Sequence, residues 1–247
     1  MVSVFMSKET VSLEKILAAW QGGLIVSCQA AHGAPLAKPV HIAALAETAA
    51  QNGAVGVRIE GTANIEAVRE TVQIPVLGIE KIICHGSEVY ITPTYDSLAR
   101  IARSGAHIVA LDGTNRLRPN NETFASIVAH AQVEYALPVM ADIATYKEGV
   151  NAAEECGVEI VGTTLSGYTA ETHGTDEPDF DLIERLAGRV RVPVIAEGRL
   201  RSVEDVRRAF DCGAFAVVVG AAITGIDWLV RHYVSATPGA SENDFHD

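Results

Sequence analysis

The feature that most constrains this chain is a repeat of two alternating strand signals. One is a Gly-Ala or Gly-Val pair before a short apolar run, which recurs at intervals of 52, 52 and 56 residues, at Gly53, Gly105, Gly157 and Gly213. The other is a Pro-Val pair inside an apolar run, at Pro75, Pro138 and Pro193. The two series interleave and, with the opening apolar run at 23–27, give eight strand-plus-helix units. Eight such units in 247 residues predict an α/β fold, a single (β/α)8 TIM barrel.

The predicted domain organisation is one barrel followed by a short tail. An amphipathic stretch at 10–21 predicts an extra N-terminal helix that caps the bottom of the barrel. The barrel with this helix takes up residues 1–236, and the polar stretch 237–247 is predicted to be a disordered acidic tail. The predicted strands cover 24–28, 54–59, 75–79, 107–111, 138–141, 159–162, 192–196 and 215–219.

Composition and charge exclude several classes of function. A net charge of −12 argues against binding nucleic acid or an anionic membrane through any broad surface. No run approaches 18 apolar residues and the N-terminus lacks an export signal, so we expect neither a membrane span nor secretion. Four cysteines without paired spacing favour reduced thiols in a cytoplasmic protein. No P-loop, GxGxxG, CxxC or HExxH motif is present, so no motif indicates a cofactor or a metal.

Polar residues follow the apolar runs at seven of the eight strand ends. In a barrel of this kind the chemistry lies at the C-terminal ends of the strands. In chain order these ends carry Gln29, Arg58, Lys81, Asp112, Asp142, Thr163-Thr164, Glu197 and Gly220. This pattern predicts an active site at the mouth of the barrel.

Lys81 and Glu197 are the predicted catalytic residues. Strands 3 and 7 face each other across a ring roughly 15 Å wide, so the amine and the carboxylate can meet a small molecule between them. Such a pair suits removal of a proton from a carbon next to a carbonyl, provided that the lysine is neutral. Desolvation and Arg58 lower the pKa of the lysine, whereas Glu197 raises it, and the sequence leaves this balance open.

Structural roles are the alternatives for these residues. Lys81 could form an exposed ion pair, and Arg58 could be a strut that holds Glu60 or Asp112. Asp112 and Asp142 could brace loops, and Gln29 could be a simple loop hydrogen-bonding residue. The histidines are dispersed, although His85 and His173 fall in predicted mouth loops.

Small residues after strands 7 and 8 predict an anion site. Gly198 with Arg199, and Gly220 with Ala221, allow backbone N–H groups to approach a phosphate. Glycine also serves ordinary tight turns, so this signal is less specific than the strand-end pattern.

Several segments resemble the bacterial N-acetylmannosamine-6-phosphate 2-epimerases, and the resemblance covers about 22–234. The segments that carry it are GLIVSCQ (23–29), GAVGVR (53–58), IVALD (108–112), MAD (140–142), IVGTTLSGYT (160–169) and IAEG (195–198). The resemblance implies interconversion of N-acetylmannosamine 6-phosphate and N-acetylglucosamine 6-phosphate in amino sugar and sialic acid catabolism, without metal or organic cofactor. It also implies a homodimer in which the last helix packs on the partner subunit.

The resemblance also assigns roles to residues. The catalytic lysine of a Gly-Ile-x-Lys motif falls on Lys81, and the glutamate of strand 7 falls on Glu197. Substrate binding falls on Gln29, Arg58 and Asp142, with Asp112 as a further candidate.

The chain departs from the family pattern at two places. Where the family commonly has Lys-Arg-Asp after strand 3, this chain has Lys81-Ile82-Ile83, which removes a charge pair beside the proposed base. Where the family commonly has an arginine that helps to hold phosphate after strand 8, this chain has Gly225. Arg199, Arg201 or Arg231 are the candidates to replace it.

Two other functions fit the strand-end residues. A Schiff-base aldolase or lyase would use Lys81 as a nucleophile. A non-catalytic sugar-phosphate-binding protein would use the same cavity without turning over its ligand.

Overall fold

The computed structural model describes residues 11–174 and 176–239, and these form a closed eight-stranded barrel. All neighbouring strands are parallel, and β8 pairs with β1, with Leu24 opposite Val217. The strands are β1 (Leu24–Cys28), β2 (Gly56–Glu60), β3 (Val76–Ile79), β4 (Ile108–Asp112), β5 (Val139–Asp142), β6 (Ile160–Gly162), β7 (Val194–Glu197) and β8 (Ala216–Val219). The predicted TIM barrel is confirmed.

Helices connect the strands, as the right-handed crossover of a parallel sheet requires. They are α1 (Leu13–Trp20), α2 (Pro39–Gln51), α3 (Thr62–Thr71), α4 (Tyr95–Arg103), α5 (Phe124–Tyr135), α6 (Tyr146–Glu154), α7 (Phe180–Ala187), α8 (Val203–Asp211), α9 (Ala221–Thr224) and α10 (Ile226–Val234). Short 3-10 helices lie at Pro35–Ala37 and Pro119–Asn121. The sequence did not separate α9 from α10.

The repeated glycines in the sequence mark the ends of helices. Gly53 follows the last residues of α2 with a φ of +94°, a left-handed conformation that glycine adopts without steric cost. At the other end of a helix, Ser202 and Asp205 form a capping box at the start of α8. These local signals explain why the predicted strands begin at most two residues too early and end within one residue of the observed ends.

The N-terminal helix closes the lower end of the barrel. Ile16 and Trp20 of α1 are fully buried and pack in one cluster with Ile25, Leu77 and Ile108 from the barrel strands. The site is therefore confined to the opposite, C-terminal end.

The bounds predicted for the domain and for the tail stay predictions. Residues 240–247 of the predicted tail lie outside the described residues, and 237–239 form exposed turns. Within the described part of the chain, we find no helix with the length and hydropathy needed to cross a membrane.

Candidate active site

A cavity of about 1050 Å³ opens at the C-terminal ends of the strands. Eight of the predicted site residues line it, namely Gln29, Arg58, Lys81, Glu197, Gly198, Arg199, Gly220 and Ala221. They come from β2 and β7, from the segments that follow β1, β3, β7 and β8, and from the first residue of α9. The strand-end pattern in the sequence thus corresponds to one shared site.

Arg58 lies at the centre of this site with only 1% of its surface exposed. Its Nη1 and Nη2 atoms donate to Asp142 Oδ1 at 3.1 Å and Oδ2 at 2.6 Å, and Nη1 also donates to Glu197 Oε2 at 3.0 Å. Burial by itself lowers the pKa of Arg58, but the two carboxylates raise it above its ordinary value. Arg58 is therefore a permanent cation that ties β2 to β5 and β7. Arg58 pairs with Asp142 and Glu197. It does not pair with Glu60 or Asp112, the partners expected if it were only a structural strut.

Glu197 is a carboxyl group poised to change its protonation state. Its side chain is 13% exposed, and Oε2 accepts from Arg58 and lies 3.1 Å from the Thr164 hydroxyl. Burial raises the pKa of Glu197 to about 7, against the opposing pull of Arg58 and with a further contribution from Asp142, whereas a hydrogen bond donated by Thr164 to the ionised carboxylate would lower it. A carboxyl group in this range can act as an acid or a base near neutral pH.

Lys81 lines the same cavity just beyond β3, where it forms an isolated antiparallel bridge with Ile91. Desolvation and then Arg58 lower its pKa, whereas Glu60, Glu197 and Asp142 raise it. The net direction is downward, although the residue is open to solvent at the mouth and water offsets part of the desolvation. Within 11–174 and 176–239, no carboxylate forms an ion pair with its ammonium group. The geometry therefore disfavours the exposed ion pair.

Asp112 and Asp142 have no exposed surface and do not line the cavity. Asp112 accepts from the backbone and hydroxyl of Thr114 and from Arg116 Nη2 at 2.7 Å, which braces the loop after β4. Asp142 accepts from Arg58 and from the Thr164 hydroxyl at 2.7 Å. The sequence predicts that both aspartates bind the substrate directly. Their buried positions instead favour supporting roles.

Gln29 offers an unused polar atom. Its Nε2 donates to Ser27 Oγ at 2.7 Å, while its buried Oε1 has no partner among the described residues. A buried acceptor without a partner carries a desolvation cost, which a ligand N–H or O–H would offset.

Arg199 lines the cavity, but its guanidinium is hydrogen-bonded to the loop after β6. Its guanidinium donates to the carbonyl oxygens of Ser166 at 2.7 Å and Gly167 at 2.8 Å and stacks 4.0 Å from the centre of the Tyr168 ring. A Cβ at Gly167 would lie 2.3 Å from Arg199 Nη1, so this contact requires glycine. Arg199 therefore holds the loop after β6 in place. Besides Arg58, the other arginines that line the cavity are Arg201 and Arg231.

Tyr90 and Trp228, to which the strand-end pattern assigns no role, also line the cavity. Burial, and then Asp142 and Asp112, raise the pKa of Tyr90 to about 12. Trp228 lies under the guanidinium of Arg201. Neither residue directly follows a strand, so the strand-end pattern does not include them. His85 and His173 do not line the cavity.

No group of three or more His, Cys, Asp or Glu side chains in the described ranges is arranged to hold a metal ion. The expectation of no metal and no cofactor stays a prediction.

Comparison with known proteins identifies the family. The family model described as "Putative N-acetylmannosamine-6-phosphate epimerase" matches residues 42–238. The chain belongs to this epimerase family. A relative named "Putative N-acetylmannosamine-6-phosphate 2-epimerase" from Synechococcus elongatus is 49% identical over 87% of this chain and 94% of its own length. One of the same name from Clostridioides difficile is 41% identical over 87% and 96%.

A solved structure of the same family has the same fold. The N-acetylmannosamine-6-phosphate 2-epimerase from Clostridium perfringens superimposes with a TM-score of 0.88 and 36% sequence identity, over 93% of this chain and 99% of that one. The resemblance seen in the sequence is thus confirmed at the level of the family.

The raised pKa of Glu197 predicts a pH-dependent stability. The unfolded chain loses this proton near pH 4.5 and the folded protein only near pH 7, so this group lowers the free energy of unfolding as pH rises between these values. We expect Glu197→Gln to gain roughly 3 kcal/mol relative to the wild type between pH 4.5 and about pH 8 in urea unfolding. The exposed Glu204→Gln control should stay within about 0.5 kcal/mol of the wild type. Parallel pH curves for Glu197→Gln and the wild type would contradict this assignment.

Proposed function

We propose that the protein is an isomerase that interconverts N-acetylmannosamine 6-phosphate and N-acetylglucosamine 6-phosphate, in amino sugar and sialic acid catabolism. The observation that carries this proposal is the meeting of Lys81 and Glu197 in one cavity around the buried Arg58, with pKa values displaced towards each other. The proposal is supported by the membership of the chain in this family and by the names of its relatives.

The reaction follows from the charges in the cavity. In the open-chain sugar the aldehyde acidifies the proton on C2, and neutral Lys81 removes it as the base. The negative charge that develops on the aldehyde oxygen is stabilised by Arg58, whose position is fixed before the reaction begins. Glu197 in its acid form returns a proton to the opposite face of C2, which gives the epimer and leaves Lys81 protonated and Glu197 ionised, and proton exchange with the solvent restores both groups. Gln29 Oε1 accepts from the acetamido N–H or a sugar hydroxyl.

Lys81→Ala tests the reaction and its base. With N-acetylmannosamine 6-phosphate in D2O, the wild type should form N-acetylglucosamine 6-phosphate and incorporate deuterium at C2, as followed by NMR. Removal of the base should lower kcat by about 10³-fold or more, with the fold retained by circular dichroism. The exposed Lys147→Ala should retain wild-type turnover.

Two results would favour the other functions. A substrate–lysine adduct trapped by borohydride in the wild type, and absent from Lys81→Ala, would indicate a Schiff-base lyase. Tight binding without exchange at C2 would indicate a non-catalytic binding protein.

We propose that Arg231 holds the 6-phosphate together with the backbone N–H groups of Gly198, Gly220 and Ala221, which line the same cavity. In a chain with net charge −12, a dianion needs local positive charge. Arg199 is bonded to the β6 loop, and Arg201 stacks over Trp228 at 5.3 Å. Arg231 lines the same end of the cavity without an ion pair to any described carboxylate, so its donors are available. It stands in for the arginine that Gly225 replaces.

Arg231→Gln tests this assignment. Loss of one charged contact to phosphate should raise KM for the phosphorylated sugar by about 10- to 100-fold. Turnover of the unphosphorylated sugar should change little, because it makes no use of this cation. Arg207→Gln, an exposed arginine on α8, is the matched control. An equal effect of Arg231→Gln on both sugars would exclude a phosphate-specific role.

We propose a homodimer formed through α10. No residue of this helix is buried, and Ile226, Val230, Tyr233 and Val234 are 40–71% exposed at the spacing of one helical face. An apolar face of this kind is typical of a protein–protein interface. A cytoplasmic location is also part of the proposal, supported by the four free cysteines.

Sedimentation tests the dimer. We expect the wild type to sediment as a dimer and the double variant Val230→Asp with Tyr233→Asp as a folded monomer, since a buried unpaired charge is strongly unfavourable at an interface. Val133→Asp, on the exposed face of α5, should leave the dimer intact. A dimer that withstands both aspartates would place the interface elsewhere.

A further inference from the structure

One hydroxyl group lies between the two carboxyl groups of the site. Thr164 Oγ1 is 2.7 Å from Asp142 Oδ1 and 3.1 Å from Glu197 Oε2. Both distances are within hydrogen-bonding range, but a hydroxyl carries a single hydrogen and donates it to one acceptor at a time. In one of the two contacts, the hydrogen must therefore come from the carboxyl group.

The geometry indicates which contact the Thr164 hydrogen serves. The distance to Asp142 is the shorter, and Asp142 has no exposed surface through which water can supply a donor. With the hydrogen on that side, an oxygen lone pair of Thr164 faces Glu197 Oε2. Two oxygen atoms in contact without a hydrogen between them repel, so the arrangement is satisfied only when Glu197 Oε2 carries a proton.

Charge counting leads to the same assignment. Arg58 Nη1 is shared between the same two oxygens, at 3.1 Å from Asp142 Oδ1 and 3.0 Å from Glu197 Oε2. A single guanidinium balances one of the two carboxylates, and Lys81 balances the other only while its amine is protonated, a state that desolvation and Arg58 disfavour. The titratable groups that act on Glu197 are Arg58 of β2, Lys81 beyond β3 and Asp142 of β5. Tyr90 acts on Arg58, and Glu60 acts on Lys81.

We propose that Thr164 is a positioning residue that accepts a hydrogen bond from the protonated Glu197 carboxyl while it donates its own hydrogen to Asp142. This inference deepens the proposed function and rests on it for its chemical consequence. The chain of hydrogen bonds from Glu197 through Thr164 to Asp142 stabilises Glu197 as an acid. Because Lys81 and Glu197 share one cavity, holding the proton on the carboxyl favours the neutral amine that the reaction requires.

The test is a direct titration of Glu197 that does not depend on activity. Protein labelled with 13C at the glutamate carboxyl is titrated by NMR, and the Glu197 signal is assigned by its loss in Glu197→Gln. Thr164→Val removes the hydroxyl at nearly constant shape, so the protonated carboxyl loses its acceptor. We expect the apparent pKa of Glu197 to fall by roughly one unit, a tenfold loss of proton affinity. Thr164→Ser, which keeps the hydroxyl, should restore the wild-type value.

Thr163→Val is the matched control. The Thr163 hydroxyl contacts only the main chain of Glu197, donating to its carbonyl oxygen at 2.9 Å and accepting from its N–H at 3.1 Å. Its loss should leave the Glu197 titration within about 0.3 units of the wild type. If Thr164→Val does not fold, as judged by near-ultraviolet circular dichroism, Thr164→Ala carries the same prediction.

The opposite arrangement gives the opposite result. If Thr164 donates to an ionised Glu197, removal of the hydroxyl raises the pKa of Glu197, and a rise or an unchanged value overturns the proposal. In an active enzyme the alkaline limb of the kcat profile should move to lower pH together with the NMR titration. A wild type without epimerase activity would overturn the proposed function, while the NMR titration would still decide the role of Thr164.

Discussion

The interaction on which the site depends is the buried contact of Arg58 with Asp142 and Glu197. These side chains come from β2, β5 and β7, so the pairing joins distant strands across the interior of the barrel. A guanidinium with 1% exposure is tolerated only when its donors meet acceptors of opposite charge. The same contact fixes the position of Glu197 at the cavity wall. The same three side chains thus stabilise the fold and position the groups of the site.

This arrangement also couples the two groups that are proposed to exchange protons. Burial raises the pKa of Glu197 while desolvation and Arg58 lower that of Lys81, so the state with a neutral amine and a neutral carboxyl approaches the ion pair in free energy. Both states carry the same total charge, so passing from one to the other requires no net uptake or release of a proton. A base can therefore be generated inside the cavity at neutral pH without an external ion.

The sequence predicted the strands well and the orientation of side chains less well. The Gly-Ala, Gly-Val and Pro-Val signals are local, and together with the opening apolar run they located every strand of the barrel. The strand-end residues Lys81 and Glu197 reached the cavity because both follow buried apolar runs. Whether Asp142 faces a ligand or Arg58 depends instead on a partner 84 residues away, which no local pattern encodes. The engagement of Arg199 with the β6 loop likewise arises only when the two loops meet in space.

The two isoleucines after Lys81 bear on the basicity of the lysine. Where the family commonly carries an arginine and an aspartate, Ile82 and Ile83 add apolar surface to the rim of the cavity. An aspartate there would raise the pKa of the lysine and an arginine would lower it, so the pair would largely cancel. Replacing both with apolar side chains leaves Arg58, Glu60, Glu197 and Asp142 as the charges that set the balance. Ile82, which is partly buried, adds to the desolvation that favours the neutral amine. The departure at this position is therefore compatible with proton abstraction by Lys81, because the charges that control it lie on the strands and not on the loop.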